Sequence, residues 1–324
     1  MSVGVVVVGR NEAARLERCL RSAQASCDAL VYVDSGSSDD SVALARSLGL
    51  RVVELDDSKP FTAARGRNAG FEALCTQWPD VDRVQFVDGD CELDPGWVVA
   101  ACEYLDAHPD VAITAGRRRE ISPESSRYNL LTDMEWNTPV GDAEAVGGDL
   151  MVRREAFVQA GGYDPKLIAG EDPDFCFRVR ASGARIVRLD HEMTRHDAAI
   201  LHFDQWWRRQ TRSGHAYAEL ALRHGRFRAR QVASILGWGV ALPAFALVGA
   251  PLTAGLSLLA LSAYGFLWLR VRGQRRRRGD SREAAGQYAS ACVLGKFAGA
   301  YGIATFAWNR WLRDRDTGLI EYKL

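Results

Sequence analysis

The sequence lacks any close pair of cysteines: its seven (Cys19, Cys27, Cys75, Cys91, Cys102, Cys176, Cys292) are scattered, with no C-x-x-C. That argues against structural zinc and against a disulfide framework, and it reads the thiols as small buried groups of a reducing compartment. A basic leader is lacking too. The apolar run Val3–Val8 is too short for a signal peptide, so the front of the chain is expected to stay in the cytoplasm. Excess charge of either sign is absent, because 41 basic and 41 acidic residues cancel, and nothing global points toward nucleic acid. Internal repeats and low-complexity tracts are missing, which leaves no signature of a solenoid or a disordered scaffold.

What is present suffices for one large α/β domain and a smaller appendage: 324 residues, 47% of them hydrophobic. Val3–Val8 reads as a strand buried on both faces of a parallel sheet. Asn11 caps a helix through Arg21 in this reading. Further strands are expected at Leu30–Val33, Arg51–Leu55, Val84–Val87 and Val111–Ala115, with helices over 41–49, 63–74 and 96–107 between them. Strands alternating with helices predict a mostly parallel, doubly wound sheet, whose ligand site lies beyond the carboxyl ends of the strands. The polar clusters at 9–12, 34–39 and 88–90 fall at those ends. Beyond Glu120 the pattern is less regular, with a strand at 149–152, helices at 153–160 and 173–182, and a strand at 185–189.

Three constellations carry candidate chemistry. Asp88 and Asp90 flank Gly89 at a strand end, where alternate residues point the same way and two carboxylates can face one Mg²⁺ or Mn²⁺. Glu171-Asp172 precedes Pro173, a helix-starting residue, so these acids are expected beside the positive end of a helix dipole, where one can act as a general base. Capping alone is the competing reading. His196 follows a strand and suits Mn²⁺ as a third ligand, with His191 and His202 as competitors.

In combination these motifs resemble the family 2 glycosyltransferases of the GT-A fold, over roughly residues 3 to 215. Gly9-Arg10-Asn11-Glu12 stands where the family has P-x-[YF]-N-E, and Val33-Asp34-Ser35-Gly36-Ser37-Ser38-Asp39 where it has V-D-D-G-S-x-D. Gly66-Arg67-Asn68-Ala69-Gly70 loosely matches A-R-N-x-G, Gly161-Gly162-Tyr163-Asp164 matches G-G-[FY]-D, and Glu171-Asp172 matches the E-D motif. The resemblance implies that Asn11, Glu12, Asp34, Ser35, Arg67 and Asp88 contact a UDP- or GDP-sugar. It implies a divalent cation (Mg²⁺ or Mn²⁺) at Asp88 and Asp90, with His196 as the further candidate ligand, and Asp172, beside Glu171, as the base. One base with no evident second nucleophile favours inversion. A nucleotidyltransferase is disfavoured, since no glycine-rich phosphate loop follows the first strand. Gln205-Trp206-Trp207-Arg208-Arg209 is similar to the Q-x-x-R-W of processive synthases but lacks its final tryptophan.

From Gln231 to Leu269 no Asp, Glu, Lys or Arg occurs, a run of 39 residues flanked by arginines on both sides. It is read as a transmembrane hairpin broken near Gly249-Ala250-Pro251, with both ends in the cytoplasm. Residues 286–309, interrupted by Lys296, are read as an interfacial helix. The expected organisation is therefore a GT-A catalytic domain over 1–220 and a membrane-associated helical region over 221–324. The expected activity is sugar transfer to a hydroxyl of a lipid-linked or growing glycan at the cytoplasmic membrane, with polyprenyl phosphate as the rival acceptor. A non-catalytic membrane scaffold is the rival of another class, and homo-oligomerisation is left open.

Overall fold

Six apolar positions in a row settle in a sheet only when both faces are covered, and β1 (Ser2–Gly9) is covered on both. Val5 and Val7 pack with Leu16, Cys19 and Leu20 of α1 (Ala13–Gln24), while Val6 and Val8 join the cluster on the opposite face. The computed structural model describes residues 2–312. Its contacts gather into two units, one of residues up to Ser122 with Asp133–Ala198, the other of Pro123–Thr132 with the residues from Ala199 onward.

In the first unit β2 (Leu30–Asp34), α2 (Ser41–Ser47), β3 (Arg51–Glu54), α3 (Ala63–Gln77) and β4 (Val81–Asp88) continue the alternation. Strands β3, β2, β1 and β4 lie side by side, all parallel, as expected. Helix α3 sits close on this sheet through two glycines one turn apart. A Cβ on Gly66 would meet Val8, and one on Gly70 would meet Val6 and Val33. That close seat carries Arg67 to the strand ends.

The remainder of the sheet is mixed. It comprises β5 (Cys91–Leu93), α4 (Trp97–Ala107), β6 (Val111–Glu120), α5 (Arg127–Trp136), β7 (Gly141–Asp142), β8 (Leu150–Arg153), α6 (Arg154–Gln159), α7 (Glu171–Ala181) and β9 (Arg185–His196). The full order is β3-β2-β1-β4-β8-β6-β9-β5, with β7 on β9. β8 runs antiparallel to both its neighbours, β4 and β6, whereas β6 and β9 pair in parallel. An antiparallel strand begins where parallel ones end, so the residue ahead of β8, Asp149, arrives beside Asp88. Two helix starts differ from expectation. Gly170, at φ 84°, lets α7 begin at Glu171 and not Pro173, which puts both acids inside the first turn. Asn11 stands in the left-handed region at φ 56°, and α1 is entered through Glu12.

The second unit holds α8 (Phe203–Arg223), α9 (Ala229–Leu236), α10 (Leu242–Gly249), α11 (Ala263–Arg277) and α12 (Arg282–Leu312), and so takes in α8, ahead of the expected boundary at 220. A π turn at 237–241 joins α9 to α10, giving a continuous apolar helix over Ala229–Gly249 with mean hydropathy 1.9. The second arm of the expected hairpin is less regular: Leu256–Ser262 is 3₁₀, and α11 runs on into Arg270–Arg277. Residues 286–309, read as interfacial, lie within α12, which by length and composition can cross a membrane. Residues 313–324 of the expected membrane region lie outside the described residues.

Helices α8 and α12 meet along a seam of small residues. A Cβ on Gly214 would strike the backbone of Gly299, and one on Gly302 the carbonyl of Thr211. Backbone cannot yield as a side chain can. Gly302→Ala is expected to destabilise the second unit by about 1–3 kcal/mol. Gly265→Ala, which meets nothing within 4 Å, should leave stability unchanged or slightly raised. Thermal denaturation in detergent, followed by circular dichroism, compares the two.

Candidate active site

The carboxyl end of β4 delivers the half-buried Asp88 into a cluster of charges. Arg67 from α3 is 3% exposed and lies at its centre. Its Nη2 donates to Asp88 Oδ1 at 2.8 Å, and its Nη1 donates to Glu171 Oε1 and Asp172 Oδ1, each at 3.2 Å. The guanidinium also lies over the Tyr163 ring, 5.3 Å from its centroid. Gly148 is required beside it, because a Cβ there would collide with Arg67 Nη2.

A second arginine, Arg118 of β6, pairs with Asp149 at 2.8 Å and approaches Asp88 at 3.9 Å, with its other face over Trp136. Asp149 is buried and heavily used. It accepts the Asp88 backbone N–H at 3.1 Å and the Thr194 hydroxyl at 2.8 Å.

These neighbours push the two aspartates apart. Burial by itself would raise Asp88, but Arg67 and Arg118 outweigh it and hold the carboxyl at about 2. For Asp172 burial wins: it raises the group to about 7, with Glu171 and Asp88 adding to the rise against the pull of Arg67. One acid is thus permanently ionised, and the other exchanges a proton near neutrality.

Asp90 points elsewhere. Its Oδ2 lies 3.0 Å from His196 Nε2, at the paired ends of β5 and β9, and the His196 ring stacks on Trp136 at 4.6 Å. The ligand atoms of Asp90, Cys91 and His196 all fall within 4.8 Å of one another, as do those of Asp88, Cys91 and Asp149. The two aspartates of the D-x-D therefore belong to adjoining groups, because β4 ends at Asp88 and Gly89-Asp90 turns. Burial and Arg118 keep the imidazole neutral, at about 4, and its buried Nδ1 has no hydrogen-bond partner among the described residues. A neutral imidazole beside a carboxylate is a donor set that fits a divalent cation.

The other expected contacts form a separate group at the ends of β1 and β2. Asp34 accepts the backbone N–H of Gly36 at 3.0 Å and of Ser37 at 2.8 Å, and the Tyr32 hydroxyl at 3.0 Å. Ser35 N–H donates to the Gly9 carbonyl at 2.9 Å. Asn11 clasps the same turn: its N–H donates to Ser37 Oγ and its Oδ1 accepts Ser38 N–H. Glu12 N–H donates to Ser41 Oγ, and its carboxylate pairs with Arg15. His191 stays outside the cluster and borders a separate cavity; His202 caps α8 in the second unit.

Residues 4–157 match the model of glycosyl transferase family 2, and residues 131–202 match that described as the N-terminal domain of galactosyltransferase. Residues 4–157, just under half of the chain, thus resemble glycosyl transferase family 2. This family 2 region contains Asp34, Arg67, Asp88, Asp90 and Asp149, while the galactosyltransferase-type segment contains Glu171, Asp172 and His196.

The chain is 29% identical over 238 residues to the pre-mycofactocin glycosyltransferase of Mycobacterium tuberculosis, covering 68% of this chain but about half, 48%, of that relative. It is 34% identical over 91 residues to an uncharacterised glycosyltransferase of Rickettsia felis, 28% of this chain and 29% of that one. Among solved structures, mannosyltransferase PcManGT from Pyrobaculum calidifontis, in complex with GDP-Man and Mn²⁺, superposes with a TM-score of 0.60 at 19% identity, covering 95% of this chain and 87% of that one. S. aureus TarS 1–349 gives 0.50 at 15% identity, covering 97% and 93%. The family 2 region thus has the GT-A fold.

Arg118, Asp149 and Trp136 escaped the sequence reading. The available signal was Gly147-Gly148-Asp149 ahead of a buried strand, a backbone that can approach another group closely. Removing Arg67 would strand three carboxylates. Arg67→Ala is expected to cost about 3–5 kcal/mol in denaturant unfolding. Arg185→Ala, which breaks surface pairs with Asp110 and Asp142, should cost far less.

Proposed function

We propose that the chain is an inverting glycosyltransferase that moves a sugar from a UDP- or GDP-sugar to an acceptor hydroxyl on a lipid-linked or growing glycan, at the cytoplasmic face of the membrane. The single observation that carries this reading is Asp172: a largely desolvated carboxyl near the strand ends, raised to about 7, 3.2 Å from a guanidinium that also grips Asp88. Such a group can take a proton at neutral pH and is held in place while it does so.

Asp90 and His196 would hold a divalent cation with help from Asp88, and the cation would neutralise the diphosphate as it departs. PcManGT, of like fold, was solved with GDP-Man and Mn²⁺, and we assign the same classes of donor and ion here. Asn11, Glu12, Asp34 and Ser35 would receive the nucleoside. Asp172 accepts the acceptor's hydroxyl proton as the oxygen bonds to the anomeric carbon, and the bond from that carbon to the diphosphate breaks on the opposite side. Arg67 fixes Asp172 during the transfer. Ala229–Gly249 and α12 would keep the chain at the bilayer, and the arginines around the apolar run favour cytoplasmic ends.

The active base is the carboxylate, so protonation removes activity. Below pH about 7, kcat/KM should fall tenfold per unit, and Asp172→Asn should lower kcat by about 10²–10⁴ and abolish that slope. Full turnover by Asp172→Asn would instead indicate an acceptor with no proton to lose, such as a polyprenyl phosphate. His196→Ala should raise the Mn²⁺ concentration for half-maximal donor turnover at least about tenfold; an unchanged value would remove His196 from the metal site.

A further inference from the structure

A cavity of about 480 Å³ opens between β6, β9 and the segment after α5, and none of its lining residues belongs to the catalytic cluster. Its volume is that of a small-molecule site. Three arginines line it: Arg117, Arg119 and Arg188. Along β6, Arg117 and Arg119 flank Arg118, which turns instead to Asp149.

Two of the three are already neutralised. Arg117 pairs with Asp133 at 3.0 Å, and Arg119 forms a two-point pair with Glu192 at 2.7 and 2.6 Å. Arg188 is different. It is 6% exposed, yet among the described ion pairs it has no carboxylate. Among the described residues its guanidinium donates to backbone alone, to the carbonyls of Thr138 and Gly116. Burial and the nearby Arg117 both disfavour its charge, although Asp190 and Glu192 pull the other way. A buried guanidinium with no carboxylate of its own is stabilised when an anion arrives.

We propose that this cavity is a binding site for a phosphate group on a small molecule, with Arg188 as its principal cation and Arg117 beside it. A guanidinium fork matches phosphate oxygens, and Asn137 and Thr138 also line the cavity, beside Arg188, and offer polar groups. The remaining volume would take the organic portion of the ester. The site abuts the catalytic centre through the chain itself, since Trp136, two residues before Thr138, stacks on His196 and lies under Arg118. An occupant that draws Arg188 off the Thr138 carbonyl would thus act next to the platform of the metal site. Asp190 is exposed and opposes an anion.

The test titrates inorganic phosphate, at constant ionic strength against chloride, into the full chain in detergent with the catalytic cleft filled by nucleoside diphosphate and Mg²⁺. Calorimetry should show binding that Arg188→Gln weakens at least tenfold and Asp190→Asn strengthens at least threefold. Asp190→Asn decides alone if Arg188→Gln fails to fold. Equal affinity in wild type and Asp190→Asn, or loss of all phosphate binding when the cleft is filled, would overturn the proposal. A second arm separates sources: a lipid phosphate predicts that vesicles with phosphatidic acid bind more tightly than phosphatidylcholine alone, by a margin that Arg188→Gln removes, whereas a soluble ester predicts no such margin.

Discussion

One buried guanidinium organises the first unit. Arg67 faces Asp88, Glu171 and Asp172 at once, and these residues come from a strand end and from a helix more than 80 positions later. Like charges that close repel, and each pays desolvation; without the arginine the cluster would not assemble in ionised form. Two glycines on α3 and one ahead of β8 leave the room in which Arg67 sits. The position of the cation is therefore written into backbone packing as much as into its own side chain.

The same arrangement divides labour between carboxylates of equal intrinsic acidity. Asp88 lies against two arginines that outweigh its desolvation and keep it ionised, whereas at Asp172 desolvation, with Glu171 and Asp88 adding to it, outweighs Arg67 and holds the proton to near neutrality. A short distance away, Asp90 and His196 form a harder, oxygen-and-nitrogen pocket against Trp136. The Arg67 cluster and the Asp90–His196 pair are thus adjacent groups, connected by the bent link Gly89-Asp90.

Much of this was legible in residues. The six-residue apolar run of β1, the alternation through Val111 and the polar clusters at strand ends placed the parallel half of the sheet and the candidate site together. What was not legible depends on long-range pairing. β8 is short and reads alike in either direction; only its insertion between β4 and β6 makes it antiparallel and sends Asp149 to Asp88. The start of α7 was misplaced because Pro173 is a strong local signal, while Gly170 in a left-handed conformation starts the helix two residues earlier, at Glu171. In the tail, hydropathy located the uncharged run but not its helices, since the arginines of α11 and the small-residue face of α12 redistribute length between them.

The account turns on one charge cluster that drives two nearby aspartates to different acidities, arginines prevailing over burial at Asp88 and burial prevailing over Arg67 at Asp172. The direct measurement is a carboxyl-¹³C titration of the labelled chain, with Asp88 and Asp172 assigned by substitution. The account predicts that Asp172 titrates at about 7 while Asp88 stays ionised down to about 2. Both groups titrating together, near the ordinary carboxyl value of about 4, would contradict it.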